Sequence, residues 1–482
     1  MSPPEHVPEE LWLEVFRHLP LDTLRDVSTT SHIFGRLSRP FLFSHLDFHP
    51  YATRPYARHG FASHVLLLPE AAEVERVLER LNFWSSAGIA PFVRSCSITT
   101  WRKEGPGPSI FSTTDSPDVL LYPFFERLAC FTGLQQLNAV VVHFTQAAIA
   151  NLCRLPALTE MHIDTCNVVG GLESQTLSIS VLSIRHDVRR EDGIGLWVPL
   201  LRPDRLHELD LMCNLRVLGV TIEDIPPFPN LHTLSMTINL SRMSDTIAIL
   251  SKFPSLQVLV LTGWGRLVYE ADPLVPASDI LPALRRYAGP HLTLPIFLTC
   301  ATLTHLTTHY CSPSDLMAQL AGTRTPGSIT SLYASFDDLD TGALGTLCAF
   351  FPQLTELRIR ILFVADEDAF EDPLDSKTTA FFSALAETPA LPRALERLMI
   401  SWKFEYEDTD VRRPSAGSVP EFATVRDALV ARCSNLTAFW LDGDHFVFGW
   451  RRMLDGPPVE ARSCHSAEAG QMRGNVAAFW DM

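Results

Sequence analysis

His305, His309 and Cys311 have the residue types to bind a transition metal, and they recur at alternate positions of an apolar stretch. On an extended strand, however, His305 and His309 would be about 13 Å apart, too far for one ion held at about 2 Å per ligand. His309 and Cys311 alone leave such an ion short of ligands, so no metal is expected. The acidic segments VADEDAFEDPLDSK (364–377) and FEYEDTDVRRPSAGSVP (404–420) lack the spacing and glycine of an EF-hand and read as solvated loops. The chain has no glycine-rich phosphate loop, no Gly-x-Ser-x-Gly elbow and no His-Glu-x-x-His pair. No catalytic set converges, so neither an enzymatic activity nor a cofactor is expected.

The remaining chemistry is recognition, and composition narrows the partner. The 482 residues carry a formal charge of −16, which repels nucleic acid from the average surface. The basic pairs at Arg189-Arg190, Arg285-Arg286, Arg412-Arg413 and Arg451-Arg452 are scattered and form no stripe. No run reaches the roughly 18 apolar residues of a membrane span, and the opening MSPPEHVPEELWLEVF does not read as a secretory signal. The ten cysteines contain no Cys-x-x-Cys pair, and many sit in apolar patterns as small hydrophobes. Reduced thiols in the cytoplasm or nucleus are the expectation. The sequons at Asn239 and Asn435 then read as chance matches.

A 46% hydrophobic chain of this length needs either several cores or one core that grows by stacking. Stacking is indicated by an apolar-x-x-apolar-x-apolar pattern. It recurs at Leu158/Met161/Ile163, Ile179/Leu182/Ile184, Leu206/Leu209/Leu211, Leu231/Leu234/Met236 and Leu256/Leu259/Leu261. It continues at Leu303/Leu306/Thr308, Ile329/Leu332/Ala334, Leu354/Leu357/Ile359, Leu395/Leu398/Ile400 and Leu436/Phe439/Leu441. Weaker copies lie at Val93/Cys96/Ile98, at Leu284/Tyr287/Gly289, and at Leu134/Leu137/Val140, the last out of register by one. From Met161 to Leu357 the central positions are spaced by 21, 27, 25, 25, 28, 19, 26 and 25, the period of leucine-rich repeats. Between the patterns lie helical stretches at 145–155, 341–351, 378–386 and 423–433, with Thr145, Thr341 and Thr378 as candidate N-caps.

Strand plus crossover helix, repeated, yields a parallel sheet. The expectation is an α/β leucine-rich-repeat solenoid, a horseshoe with its sheet on the concave side and its helices outside. Loops near 103–118, 364–377 and 404–420 should project from the rim of a solenoid spanning 47–455, with a cap or tail at 456–482. The strand residues between the apolar triplets then face a partner. Early strands offer acids (Glu160, Asp164, Glu208, Asp210) and late strands offer bases. The candidate substrate-binding residues are Trp264, His309, Tyr333, Arg358, Arg360 and Trp440, since exposed aromatics and arginines anchor protein partners.

Ahead of the repeats, VPEELWLEVFRHLPLDTLRDVSTTSHIFGRLSRPFLFSHL (7–46) reads as three short helices. Pro8 suits a first turn, Asp22 a second cap, and Pro40 a stop after Ile33, Phe34 and Leu37. Residues 1–46 resemble an F-box: Val7-Pro8, Glu10-Leu11, Val15-Phe16, Leu19 and Leu24 follow the family pattern. The second half departs from it, with Val27 to Phe34 standing where the family carries a Cys and a Trp-like aromatic. The whole order resembles fungal F-box/leucine-rich-repeat proteins. The resemblance implies a substrate-recognition subunit of an SCF-type (cullin–RING) ubiquitin ligase. Pro8, Leu11, Val15, Phe16, Leu19 and Leu24 would divide between docking a Skp-type adaptor, and through it cullin, and internal packing. The repeats would hold a substrate protein. An interaction scaffold of the same shape without a ligase role is the alternative.

Overall fold

A computed structural model describes residues 7–50, 52–58, 61–67, 71–99, 101–102, 118–169, 175–185, 197–214, 225–264, 276–323, 327–364, 374–387, 391–405, 421–443, 446–453, 456–463, 472–473 and 476. The chain divides into two units, Met1–Thr237 and Ile238–Met482. The rim loops expected from the sequence lie largely outside the described residues. Where they do not, regular structure extends further than expected, with 374–377 inside a helix and 404–405 inside a strand.

The first unit opens with helices α1 (Glu9–Arg17), α2 (Leu21–Thr30) and α3 (His32–Leu42). Strands β1 (His45–Phe48), β2 (Ala52–Arg58) and β3 (Phe61–Leu67), helix α4 (Ala71–Trp84), β4 (Ser95–Ile98), β5 (Trp101–Arg102) and α5 (Asp118–Arg127) follow. Then come β6 (Gln136–Val140), β7 (His143–Thr145), α6 (Gln146–Cys153), β8 (Glu160–Asp164), β9 (Asn167–Val169), β10 (Val181–Arg185), β11 (Glu208–Asn214) and β12 (Thr233–Asn239). Its main sheet is parallel and ordered β1-β4-β6-β8-β10-β11-β12. The repeat pattern sets the register, pairing Leu137, Met161, Leu182, Leu209 and Leu234 across successive strands. Such pairing stacks like side chains on one face, so each strand shields its neighbour's apolar row.

The copy read as out of register is corrected. In β6 the inward position is Ala139, paired with Ile163, and Val140 pairs with Asp164. A small alanine does not announce a core position, which is why the larger Val140 suggested a slip. After β6 and β8 the chain turns through Val141 and Thr165 at φ 56° and 53°, the left-handed region that side chains other than glycine avoid. The repeated turn sends the chain into β7 and β9, which pair in parallel.

The second unit contains α7 (Met243–Leu250), β13 (Val258–Trp264), α8 (Ala277–Ile280), β14 (Arg286–Gly289), α9 (Leu294–Phe297), β15 (His305–Cys311), α10 (Pro313–Ala321) and β16 (Ser331–Phe336). It continues with α11 (Thr341–Phe350), β17 (Glu356–Val364), α12 (Leu374–Glu387), β18 (Arg397–Glu405), α13 (Phe422–Arg432), β19 (Ala438–Asp442), β20 (Val447–Arg451) and β21 (Val459–Ser463). Strands β13 to β19 are parallel in chain order, with Leu259, Tyr287, Leu306, Leu332, Leu357, Leu398 and Phe439 in one row. Both units are leucine-rich-repeat solenoids. The strand side that carries these rows packs on the helices: Phe297 stacks on Tyr287 at 4.5 Å, and Phe381 meets Trp402 at 5.7 Å. Strands β20 and β21 then reverse direction and add antiparallel.

One of the expected helix caps is found where the sequence places it and the others shift. Thr145 caps α6 by accepting from the Ala148 amide. Helix α11 is instead capped by Asp340, whose carboxylate accepts from Ala343 N at 2.6 Å, with Thr341 already helical. Helix α12 begins four residues before Thr378, which is buried inside it. In the N-terminal motif Pro8 and Pro20 occupy the N-cap positions of α1 and α2, so Asp22 falls in the first turn rather than at the cap. Helix α3 runs through Pro40 to Leu42, started by the Ser31 hydroxyl accepting from Phe34 N.

Candidate functional site

Three surfaces stand out, two in the first unit and one in the second. In the first unit, α1 places Phe16, Trp12 and Leu13 on its inner side, and Leu19 follows just after the helix. Phe16, Leu24 and Leu37 are the buried centre of a small three-helix core, bordered by Trp12, Leu19, Val27 and Phe34. The Phe16 ring meets Phe34 edge-on at 5.5 Å. Of the six candidate residues in this motif, Phe16 and Leu24 are therefore core, and Leu19 packs against them. Pro8 is exposed at the helix start. Leu11 and Val15 are 56% and 48% exposed, and Val7 is 45% exposed. Leu11 and Val15 are four apart and share one side of the helix as an apolar strip facing solvent, with Val7 exposed just ahead of the Pro8 N-cap. Leu21 and Ile33 are exposed as well. Among described residues this is where large side chains of the N-terminal motif are left out of the core.

Also in the first unit, the sheet face away from the helices is acidic. It carries Glu160, Asp164, Glu208 and Asp210, with Asp210 accepting from the buried Ser183 hydroxyl at 3.0 Å.

In the second unit the corresponding face forms three cross-strand rows over β17, β18 and β19. They are Glu356–Arg397–Ala438, Arg358–Met399–Trp440 and Arg360–Ser401–Asp442. The Glu356 carboxylate accepts from Arg358 Nε at 2.6 Å and from Arg397 Nη2 at 3.1 Å. Tyr333 precedes Arg358 in its row and Ser335 precedes Arg360. Tyr333, Arg358 and Arg360 are half-buried, and the buried Arg360 Nε makes no hydrogen bond among the described residues.

Trp440 belongs to this face, but it is not available to a partner as the sequence suggested. It is only 2% exposed. Across the antiparallel β19–β20–β21 pairs it faces Gly449 and Ala461, small residues that make room for the indole. Val447, Met399, Met472 and Val476 complete its surroundings. Arg473 donates from Nε and Nη2 to both oxygens of Asp442 at 2.8–3.0 Å. Met472, Arg473 and Val476 thus sit on the sheet face itself. The signal for this was the pair of apolar stretches AFWL (438–441) and FVFGW (446–450), whose lack of alternation marks strands covered on both sides; β19 is buried at all five positions.

Trp264 ends β13, and its side chain lies outside the described residues. His309 is half-buried; burial holds its pKa below the usual imidazole value, against a smaller opposing effect from a hydrogen bond with the Leu261 backbone. Its Nε2 makes no hydrogen bond among the described residues. Cys311 does not share its face. A register shift between Thr308 and Cys311 turns the thiol into the core opposite Phe336, where burial pushes it up to about 12. Among the described residues no group of three His, Cys, Asp or Glu side chains is arranged to hold a metal ion. The described cysteines are free thiols, and Cys166 and Cys348 are likewise pushed up to about 12, chiefly by burial. No helix of the described residues is long and apolar enough to cross a membrane.

No family model matches the chain, and no curated protein matches it. Similar solved structures include the complex of TLR13 with ssRNA13, at 13% identity and a TM-score of 0.30, covering 68% of this chain and 57% of that one. Human 5T4 (Wnt-activated inhibitory factor 1, trophoblast glycoprotein) aligns at 14% identity and a TM-score of 0.21, covering 54% and 78%. The chain therefore spans less than two thirds of the TLR13 chain it matches. At these scores the likeness adds nothing to what the strand register already establishes.

Proposed function

We propose that this chain is the substrate-recognition subunit of an SCF-type ubiquitin ligase, with the N-terminal helices docking a Skp-type adaptor and the repeat face of the second unit holding a substrate protein. The reading rests on α1. An amphipathic helix that buries Phe16 and leaves Leu11 and Val15 in solvent, with Val7 exposed just before it, carries apolar area that the described residues of its unit leave uncovered. Burying two or three such side chains at about 1.5–3 kcal/mol each is enough to anchor a helix-in-groove interface. The F-box resemblance supplies the identity of that partner. Transfer chemistry then belongs to the other ligase subunits, and the chain contributes binding alone.

Co-precipitation of the full chain with the Skp-type adaptor tests this. The Pro8→Ala/Leu11→Ala/Val15→Ala variant should lose the adaptor while keeping its thermal unfolding, because none of the three side chains is in the core. Equal recovery of adaptor with both proteins, or none with either, overturns the ligase reading and leaves a repeat scaffold.

A further inference from the structure

Strands β17 and β18 place three arginines on the sheet face of the second unit, and only two of them have an acid. Arg358 and Arg397 share the Glu356 carboxylate. Arg360 makes neither a hydrogen bond nor an ion pair among the described residues, although it is half-buried and its Nε is shielded from solvent. The acid of its own row, Asp442, stands two strands away and is forked by Arg473. A guanidinium stays charged, so a shielded Nε–H without an acceptor is costly unless a ligand supplies the oxygen.

The row continues from Arg360 into Ser335 on β16 and His309 on β15. Between the Thr308–Ala334 and Cys311–Phe336 pairs β15 carries one extra residue, so His309 and Tyr310 both stand opposite Ser335. Such a bulge re-aims side chains. One ring nitrogen of His309 is tied to the Leu261 backbone, and the contact favours the protonated ring, the mark of a carbonyl acceptor. The neutral ring therefore presents Nε2 as a lone pair, and this atom too is shielded and makes no hydrogen bond among the described residues. Three adjacent strands thus line up a guanidinium, a hydroxyl and an imidazole acceptor. The set calls for several acceptor oxygens and one hydrogen. A carboxylate brings two oxygens and, at neutral pH, no hydrogen. A phosphate monoester brings three oxygens and, with a second pKa of about 6, can donate to Nε2 or pass it the proton.

We propose that Arg360, Ser335 and His309 form a phosphoryl-binding site that takes a phosphorylated side chain of a partner protein. The Arg360 fork holds two of the oxygens, the Ser335 hydroxyl donates to a third, and His309 Nε2 shares the remaining proton. The inference rests on reading this face as a partner surface, and it gives that partner a chemistry. It does not rest on the ligase role, and its test contains no adaptor.

The test uses the full chain and phosphorus NMR of acetyl-Gly-phosphoserine-Gly-amide, a peptide whose only charge is its phosphoryl group. The wild-type chain should broaden the line saturably, with a Kd of roughly millimolar order, and inorganic phosphate should reverse the broadening. Arg360→Gln should weaken binding at least about tenfold, and Arg360→Lys, which keeps the charge and loses the fork, by less. Arg286→Gln, on the same sheet face but outside the row, should leave binding unchanged. If Arg360→Gln shifts the unfolding curve, Ser335→Ala carries the same comparison, with a weakening of about threefold. A folded wild-type chain that leaves the line sharp overturns the proposal. So does an Arg286→Gln loss equal to that of Arg360→Gln, which would mean diffuse attraction to the face. Equal displacement by acetyl-Gly-Glu-Gly-amide overturns it as well, since the row would then take any carboxylate. Each of these outcomes leaves adaptor co-precipitation unaffected, so failure here is distinct from failure of the ligase reading.

Discussion

Arg397 reaches across from β18 to place its Nη2 3.1 Å from the Glu356 carboxylate on β17, 41 residues away in the chain. Arg358 holds the other oxygen of the same carboxylate, and the Glu356 side chain is 11% exposed. One acid therefore serves two bases whose own side chains are about two-fifths exposed, and the loss falls unequally on the three. Glu356→Ala should lower stability by about 2 kcal/mol, less than a fully buried pair because both guanidinium groups retain water. Arg358→Ala should cost under about 1 kcal/mol, since Arg397 still satisfies the acid. Urea unfolding of the two variants checks the order; equal losses would mean the trio acts as surface charge.

The partition within α1 predicts two separable phenotypes. Phe16→Ala opens the three-helix core and should cost about 3–5 kcal/mol of local stability. Leu11→Ala should change it by no more than about 0.5 kcal/mol, because the side chain is already in solvent. Hydrogen exchange over residues 9–42 reads this directly. Protection should collapse in the first variant and persist in the second.

Trp440 and Tyr333 look alike in the sequence as aromatics on the sheet face, yet their burial differs. Trp440→Ala should destabilise by about 3–5 kcal/mol through loss of its contacts with Val447, Met399 and the C-terminal segment. Tyr333→Ala should cost about 1 kcal/mol or less and act on partner binding instead. Denaturation midpoints that matched for the two variants would refute the buried placement of Trp440.

Three histidines of the second unit make its stability pH-dependent. Burial lowers the pKa of His291, His305 and His309; at His305 Arg286 adds to the effect, and Asp315 opposes it at His291. A folded pKa below the unfolded value, about 6.5, means the stabilisation is fully present above that pH and is lost as pH falls through the folded values. Urea midpoints should therefore hold from pH 8 to 7 and drop below about pH 6. His309→Gln should flatten that drop.

The repeat was readable because a leucine-rich unit writes its register into the chain. The residue that heads each triplet's second half, from Leu137 to Phe439, is the residue that pairs across the sheet. What failed to read were features set by contacts rather than period. Ala139 is an inward residue without size. Cys311 changes side at a register shift, which no alternation rule anticipates. Asp340 outcompetes Thr341 for a cap one residue away. Trp440 lies on the sheet face but is buried there; the apolar character of its strand marks coverage on both sides, whereas the identity of the covering residues some thirty positions later is not written in any local pattern. In the N-terminal motif the helical spacing identified the apolar residues, whereas the division between Phe16 inside and Leu11 outside needed the positions of α2 and α3.

The most direct measurement is a titration of the purified full chain with the Skp-type adaptor by isothermal calorimetry, repeated with Leu11→Asp/Val15→Asp. The wild-type chain should bind with a negative heat-capacity change, the mark of apolar burial, and the charged variant should bind at least about a hundredfold more weakly with its unfolding curve unchanged. Binding that survives two carboxylates on that strip, or no binding by the wild-type chain, would contradict the assignment of α1 as the docking element.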